Sequence, residues 1–329
     1  MGGPARLRGP IAKPRNVPLR PRRRRAPSAL LRTASALALV VVLALVFYRV
    51  TDSAGQGVAK ANAAGVQVKS SEPVSPVVLA GLEDGACMSV APTSGHVGQT
   101  VFIDAGHGGL DPGVVGATAS GHQVLEKDAT LAVASRLADL LRADGFGVVM
   151  SRTRDTTVIK LSAADSNYGA ITSSAVHRDL AARAACANAA GANVLVSIHF
   201  DGFTDPSVGG TETFYDAARS FAASNHRLAT NLQSALVARL GVADRGVWTD
   251  DQLAAPTLTG SGESYNHIIE LGPQSPGWVD NPSSMPGALV EPLFITNPSE
   301  AQIANDPSGQ QKIAEALAAG LVRFASTPA

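Results

Sequence analysis

The chain has 329 residues, of which 45% are apolar, 16% charged and 5% aromatic, and its formal net charge is zero. That apolar share sustains a packed core and excludes a wholly disordered chain, while the length allows one large domain or two ordinary ones. Two cysteines are too few for a disulfide-dense scaffold or a Cys-only zinc cluster.

The neutral total conceals an asymmetry. Residues 1–33 carry ten Arg or Lys and no acid, leaving 17 basic against 27 acidic residues in the remainder. Ala34–Tyr48 (ASALALVVVLALVFY) follows without a charge, and extended back to Ala29 it gives twenty residues interrupted only by Arg32. Twenty helical residues span roughly 30 Å, the hydrocarbon thickness of a bilayer. We read 1–33 as a basic cytosolic tail and 34–50 as a transmembrane anchor. The positive flank then holds the N-terminus inside and sends the rest of the chain out of the cytoplasm. The competing reading is a cleaved signal peptide and a secreted protein, although the best small-residue site, Ala61-Asn62-Ala63, lies more than ten residues past the apolar run. Arg22–Arg25 could grip phosphates, but the adjoining apolar run gives them a simpler topological role, and no nucleic-acid partner is expected. Either membrane reading exports the domain, so Cys87 and Cys186 meet an oxidising compartment and are expected to pair. Two buried thiols are the alternative.

Residues 51–98 are rich in Ala, Gly, Ser, Val and Pro without periodicity and read as a linker; 99–329 reads as the folded domain. Val101–Asp104 is a strand ending in a Gly-rich turn. From Glu126 to Ala143, Leu131, Ala134, Leu137, Ala138 and Leu141 recur on one helix face, and Asp144-Gly145 stops it. Phe146–Met150 is a strand, Leu180–Ala190 an Ala-rich helix, Val194–His199 a buried strand and Thr211–Tyr215 an alternating one. Ser220–Leu240 is a long helix closed by Gly241, His267–Leu271 and Ala288–Glu291 are further strands, and Gln311–Phe324 is the last helix. This alternation predicts an α/β fold: a single mixed, mostly parallel sheet with helices on both faces, preceded by the N-terminal transmembrane helix. Sites in such folds sit at the carboxyl ends of strands.

Four candidate residues fall there. His107 follows the first strand between glycines, Glu126 opens a helix, and His199 and Glu291 end strands. Two His and one Glu match a catalytic zinc set that leaves a fourth position for water, and a further carboxylate can move the proton. Taken singly, each has an ordinary structural explanation: a turn residue, an acid complementing the helix dipole, a satisfied buried His, a solvated strand end. No H-E-x-x-H spacing adds weight. The residues alone reach a candidate metal hydrolase and no further.

In chain order, VFIDAGHGGLDPGVVG at 101–116, LEKD at 125–128, Arg154-Asp155, Leu180 to Arg183, Ala187-Asn188, VLVSIHFDG at 194–202, Arg245-Gly246-Val247 and MPGALVEPLFITNPSEA at 285–301 form a set. Together they resemble the zinc-dependent N-acetylmuramoyl-L-alanine amidases of bacterial cell walls, the amidase_3 type. The resemblance spans roughly residues 99 to 325. It implies that 99–329 is a zinc amidase catalytic domain. His107, Glu126 and His199 would be ligands of one Zn2+, and Glu291 the general base and acid. The reaction implied is hydrolysis of the amide between N-acetylmuramic acid and L-alanine in peptidoglycan, in cell-wall remodelling and daughter-cell separation. Glycan strand and stem peptide would be the partners. Glu270, in IIELG, is a rival for the base, but Phe294 and Asn297-Pro298 follow Glu291 as in the family.

Two stretches are long for the family: 154–180, with a Ser/Ala-rich insert, and 249–284, rich in Pro and Gly. Such inserts could cover the cleft, and they keep open a catalytically inactive or activator-dependent peptidoglycan-binding or regulatory protein on the same fold. A zinc peptidase acting on another amide is a third reading. His122 is a rival ligand or a loop residue, while His177 and His267 read as structural or exposed. Asp201 reads as an orienting partner of a ligand or a solvated acid. Trp248 and Trp278 read as core packing before sugar stacking.

Overall fold

Alternation along the strand Thr100–Ala105 sets the two faces of the molecule. Val101, Ile103 and Ala105 turn one way and Phe102 and Asp104 the other, and all five are buried. A strand covered on both faces must be central, with layers above and below it. The computed structural model describes residues 74–253 and 257–327. In chain order its main elements are β1 (Val74–Pro76), β2 (Ala86–Val90), β3 (Thr100–Ala105), α1 (Glu126–Ala143), β4 (Gly147–Arg152), α2 (Ser173–Ala189), β5 (Val194–Ile198), β6 (Thr211–Tyr215), α3 (Ala222–Leu240), β7 (Asp244–Thr249), β8 (Gly287–Glu291), α4 (Pro298–Asn305) and α5 (Pro307–Ser326).

The eight strands form one sheet in the order β1-β2-β4-β3-β5-β8-β6-β7. The central four, β4, β3, β5 and β8, are mutually parallel. β2 is antiparallel to β4, β1 to β2, and β6 to β8, while β7 runs parallel to β6. The carboxyl ends of β3, β5 and β8 therefore share one edge, and those of β6 and β7 lie at the opposite edge.

On one face Ile103, Met150, Val196, Ile198 and Val290 pack under α1, α3 and α5, which contribute Leu137 and Leu141, Leu232 and Leu236, and Ile313 and Leu317. Each such side chain contributes roughly 1.5–3 kcal/mol on burial. On the other face Phe102, Val149, Leu195 and Leu289 pack against Cys186 and Ala187 of α2 and against Leu271 and Met285 of the 257–286 loop. Helices thus cover both faces, as expected. The apolar stripe read on α1 is the stripe that packs: Ala134, Leu137, Ala138 and Leu141 are buried and Leu131 lies against the same core.

Several expectations are corrected. The linker assigned to 51–98 contains β1 and β2, so the sheet begins at Val74. These strands are too short, and too close to Gly and Pro, for their alternation to register. The expected pairing is met: Cys87 of β2 is disulfide-bonded to Cys186 of α2, with Cα atoms 5.7 Å apart. His267–Leu271 is a turn rather than a strand, with Leu271 N and Gly272 N both donating to Ile268 O. Leu271 is buried and Ile268 partly buried against the sheet face, while Ile269 packs with Tyr265 and Trp278, and none of them joins a ladder. α2 begins at Ser173, where Thr172 caps the helix by accepting from Ala175 N, and its polar first turns hide the start from an apolar count. The basic tail 1–33 and the 34–50 segment lie outside the described residues. Among the described residues no helix is long and apolar enough to cross a membrane.

The Cys87–Cys186 bond closes a loop of 99 residues. Chain-entropy reasoning for such loops predicts that Cys87→Ser or Cys186→Ser costs roughly 2–5 kcal/mol. The check is the urea midpoint under oxidising conditions, with reductant bringing the unsubstituted protein down to the same value.

Candidate metal centre

His107 stands in the turn after β3 in the left-handed region, at φ 61°, a conformation that costs a residue with a side chain and needs support. Two buried guanidinium groups supply it. Arg152 donates from Nε to Ala105 O (2.9 Å) and from Nη2 to Gly106 O (3.0 Å) and Lys127 O (2.7 Å). Arg183 donates from Nη1 to Ala105 O (2.8 Å) and from Nη2 to His107 O (2.7 Å). Arg183 is itself paired with Asp104 and Asp179, each at 2.7 Å. Burial works to raise the Asp104 carboxyl, but the Arg183 guanidinium, the His199 ring and hydrogen bonds from Ser197 and Ser151 hold it below the usual carboxylate range.

Glycine is required at two points of this turn. A Cβ on Gly106 would stand 2.4 Å from the His199 ring, and one on Gly113 would stand 2.4 Å from Glu126 Oε2. The space those side chains would fill is occupied by the functional groups.

Glu126, the first residue of α1, is buried. Its Oε2 accepts from Val114 N (2.7 Å) and its Oε1 from Phe200 N (2.9 Å), so backbone donors on both sides fix the carboxylate. His199 lies one residue past β5. The three side chains converge: His107 Nε2 and His199 Nδ1 are each 3.0 Å from Glu126 Oε1 and 3.1 Å from one another. His107 Nδ1 is 2.8 Å from Asp111 Oδ2. A carboxylate can only accept, so Nδ1 donates and Nε2 turns its lone pair to the common point.

Three atoms able to ligate a metal, one of them anionic, gather within a triangle of 3.0–3.1 Å. Tetrahedral shells with bonds of about 2.0–2.1 Å have edges of about 3.3 Å, so the triangle has the size of a zinc face. Although burial works against it, the Asp111 and Glu126 carboxylates raise the His107 ring to about 9. With no cation at the triangle, that shift places a proton on the ring nitrogen that faces Glu126.

Glu291 ends β8 beside this triangle. Ile198 and Val290 are register partners, and His199 N donates to Val290 O (3.0 Å). The Glu291 side chain is buried and its Oε2 lacks a hydrogen-bond partner. Burial, then the charges of Glu126, Asp201 and Glu212, push its carboxyl well above the ordinary range. Glu212 is its cross-strand partner on β6 and is paired with Arg245 at 2.9 Å. Asp201 is pushed up to about 7 by burial and by Glu212, so it belongs with this acid group rather than with a ligand ring.

Residues 101–323 match the family model described as N-acetylmuramoyl-L-alanine amidase, Amidase_3. The chain belongs to this family. It is 32% identical over 228 residues to the N-acetylmuramoyl-L-alanine amidase LytC of Bacillus subtilis strain 168, covering 69% of this chain and 36% of that protein. It is 30% identical over 227 residues to the germination-specific N-acetylmuramoyl-L-alanine amidase of the same strain, covering 69% of this chain and 80% of the relative. The crystal structure of an N-acetylmuramoyl-L-alanine amidase from Clostridium difficile 630 superposes with a TM-score of 0.51 at 29% identity, over 72% of this chain and all of that one. This chain thus spans about a third of LytC and most of the other two.

In this Amidase_3 domain the two candidate glutamates part company. Glu270 is buried in the 257–286 loop, no donor reaches either carboxyl oxygen, Asp104 lies within hydrogen-bonding reach of its acid form, and the charges acting on it are those of Asp104, Arg183 and Asp179. His122 is exposed in the turn between the short strands Val115–Ala117 and Gln123–Leu125, and His177 is paired with Asp280. Trp278 is buried and stacked on Tyr265 at 4.0 Å, which is core packing, while Trp248 is half exposed on β7. Sequence reasoning missed Asp111 and Arg152. Asp111 was findable as an acid four residues after His107 in the same turn. Arg152 acts only on backbone carbonyls, which no side-chain motif marks.

Two outcomes follow from this geometry. Asp111→Asn should lower metal affinity by roughly 10–100-fold while ligand number is kept, as measured by competition with a chromogenic chelator. Burial first, then Asp104, raises Glu270 well above its ordinary value, so folding holds a proton there. The associated stability is full below the unfolded carboxyl pKa of about 4.3 and is lost as pH rises through the raised folded value. Glu270→Gln should therefore gain stability relative to the parent chain as pH rises above the unfolded carboxyl pKa of about 4.3 in denaturant titrations, and show no gain below it.

Proposed function

We propose that this chain hydrolyses the amide between N-acetylmuramic acid and L-alanine in peptidoglycan, using one Zn2+ held by His107, Glu126 and His199, with Glu291 as general base and acid. The observation that carries the reading is the convergence of the three donor atoms on one point, with the buried, unpartnered Glu291 carboxyl beside it. Imidazole nitrogen and carboxylate oxygen are the donors a borderline divalent ion takes, and three of them leave a position open. Zinc bound there supplies Lewis acidity, lowering the pKa of water and polarising the amide carbonyl.

The remaining work falls to the chain. Glu291 takes the proton from the attacking water and returns it to the leaving nitrogen. Burial and the charges of Glu126, Asp201 and Glu212 raise its proton affinity, which suits it to hold the proton until the amine departs, while the positive charge of a bound ion would favour the ionised form that takes the proton first. Asp111 keeps His107 in the tautomer with a free Nε2. Arg152 and Arg183 hold the turn that presents the ring. With all four groups in place, an inactive cell-wall binding protein is the weaker reading.

The proposal extends to location. Ten positive charges ahead of an uncharged apolar run favour 34–50 as a single-pass anchor with the domain outside the cytoplasm. A paired Cys87–Cys186 agrees with an oxidising compartment.

Digestion of purified peptidoglycan by the full chain, read by mass spectrometry, tests the reaction. Stem peptides with a free L-alanine amine should appear, vanish with chelator and return with Zn2+; products cut at another amide would favour the peptidase reading. Glu291→Gln should lower kcat by roughly 10²–10⁴-fold with metal content unchanged, whereas Glu270→Gln should keep turnover. The reverse pattern would move the base to Glu270. Retention in membranes after a high-salt wash checks the anchor; a mature N-terminus near Ala64 would show cleavage instead.

A further inference from the structure

A second set of metal-ligating atoms lies at the other edge of the sheet. Asp216 follows β6, Asp250 follows β7, and His267 belongs to the 257–286 loop. Because β6 and β7 run against β3, β5 and β8, this set and the His107 triangle occupy opposite edges. His267 Nδ1 is 2.8 Å from Asp216 Oδ2 and 3.2 Å from Asp250 Oδ1, and one ligand atom from each residue lies within 4.8 Å of the others.

The two carboxylates are arranged alike. Asp216 Oδ1 accepts from Ala218 N (2.8 Å), and Asp250 Oδ2 accepts from Ile268 N (2.9 Å). Each acid thus fixes one oxygen on a backbone donor and turns the other towards His267 Nδ1. Asp216 is wholly buried, and its Oδ2 has no hydrogen-bond partner, because Nδ1 approaches it without the alignment a hydrogen bond needs. Arg219, whose charge reaches Asp216, donates from Nη1 to Leu271 O and Gly272 O and from Nη2 to Ser283 O, and none of these bonds goes to Asp216. A buried carboxylate oxygen without a donor is costly unless a cation stands before it. His267 keeps about a quarter of its side chain exposed, which leaves a path for an ion and for water.

We propose that Asp216, Asp250 and His267 bind a second divalent ion, of the zinc or manganese class, which fastens the 257–286 loop to the sheet edge opposite the His107 triangle. One imidazole nitrogen with two carboxylates suits a first-row transition ion, whereas calcium takes six to eight oxygens. The loop so fastened carries Leu271 and Met285, which pack on the sheet face. The ion is structural, and the assignment stands independently of the amidase reading.

The test is metal content of the full-length protein, stripped, reloaded with Zn2+ or Mn2+, passed through a desalting column and assayed by inductively coupled plasma mass spectrometry. The unsubstituted chain should hold two ions. His267→Ala and Asp216→Asn should each hold one, and His199→Ala should also hold one. Protease cleavage within 257–286 should accelerate in His267→Ala and not in His199→Ala. One ion in the unsubstituted chain, lost in His199→Ala and kept in His267→Ala, overturns the proposal and leaves Asp216, His267 and Asp250 as an ion triad. Two ions in folded His267→Ala overturn it as well. Should Asp216→Asn fail to fold, the partly exposed His267 and the ion retained by His199→Ala decide the matter. One ion lost in His267→Ala but kept in His199→Ala would uphold this site and remove the metal from the catalytic proposal.

Discussion

Two arginine side chains buried under one turn are the constraint on which the rest of the site depends. Taking a guanidinium out of water costs several kcal/mol unless its donors are matched. Arg152 and Arg183 match theirs on the carbonyls of residues 105–107 and on Asp104 and Asp179. Burial and the neighbouring Arg183 bring Arg152 down to about 10, while Asp104 and Asp179 overcome burial to hold Arg183 firmly charged. The left-handed His107 and the glycines around it would otherwise favour many loop conformations. The two guanidinium forks select the one that aims Nε2 at Glu126 and His199.

The mixed topology extends this logic across the molecule. A fully parallel sheet would send every carboxyl end to one edge. Reversing β6 and β7 sends theirs to the other edge while bringing Glu212 opposite Glu291. That pairing places like charges on adjacent strands, an arrangement that costs stability. It persists beside the reaction centre, where a carboxyl with high proton affinity has a use.

The legible parts of the sequence were those with redundant signals. β3, β5 and β8 are runs of buried residues, and α1 repeats its apolar stripe over five positions, so burial on both faces or on one broad stripe declares them. β7 buries none of its side chains fully, Ser75 and Pro76 of β1 are exposed, β2 is buried over only part of its length, and none of the three carries a clean alternation. The run at 267–271 shows the opposite failure: its apolar content is real, but a short buried run does not reveal whether it lies in a ladder or a turn. At the site, His107, Glu126, His199 and Glu291 stood out by residue type at strand ends and a helix start, but only their joint resemblance to a family gave them roles, since strand ends far apart in sequence give no spacing rule. Asp111 and Arg152, which support rather than react, left no comparable trace. Asp216, Asp250 and His267 are scattered over fifty residues and meet only because β6 and β7 end together.

The Cys87–Cys186 bond also shapes how the domain carries mechanical load. A tension applied between the N-terminal side of β2 and the chain beyond α2 passes directly through the sulfur bridge. Residues 88–185, with His107, Glu126, Asp111 and Arg152 among them, lie in the covalent loop that the bridge closes and are held by the sheet's own ladders. A pull applied across these two points would therefore be shared by the sulfur bridge before it reached the turn that most needs to keep its shape.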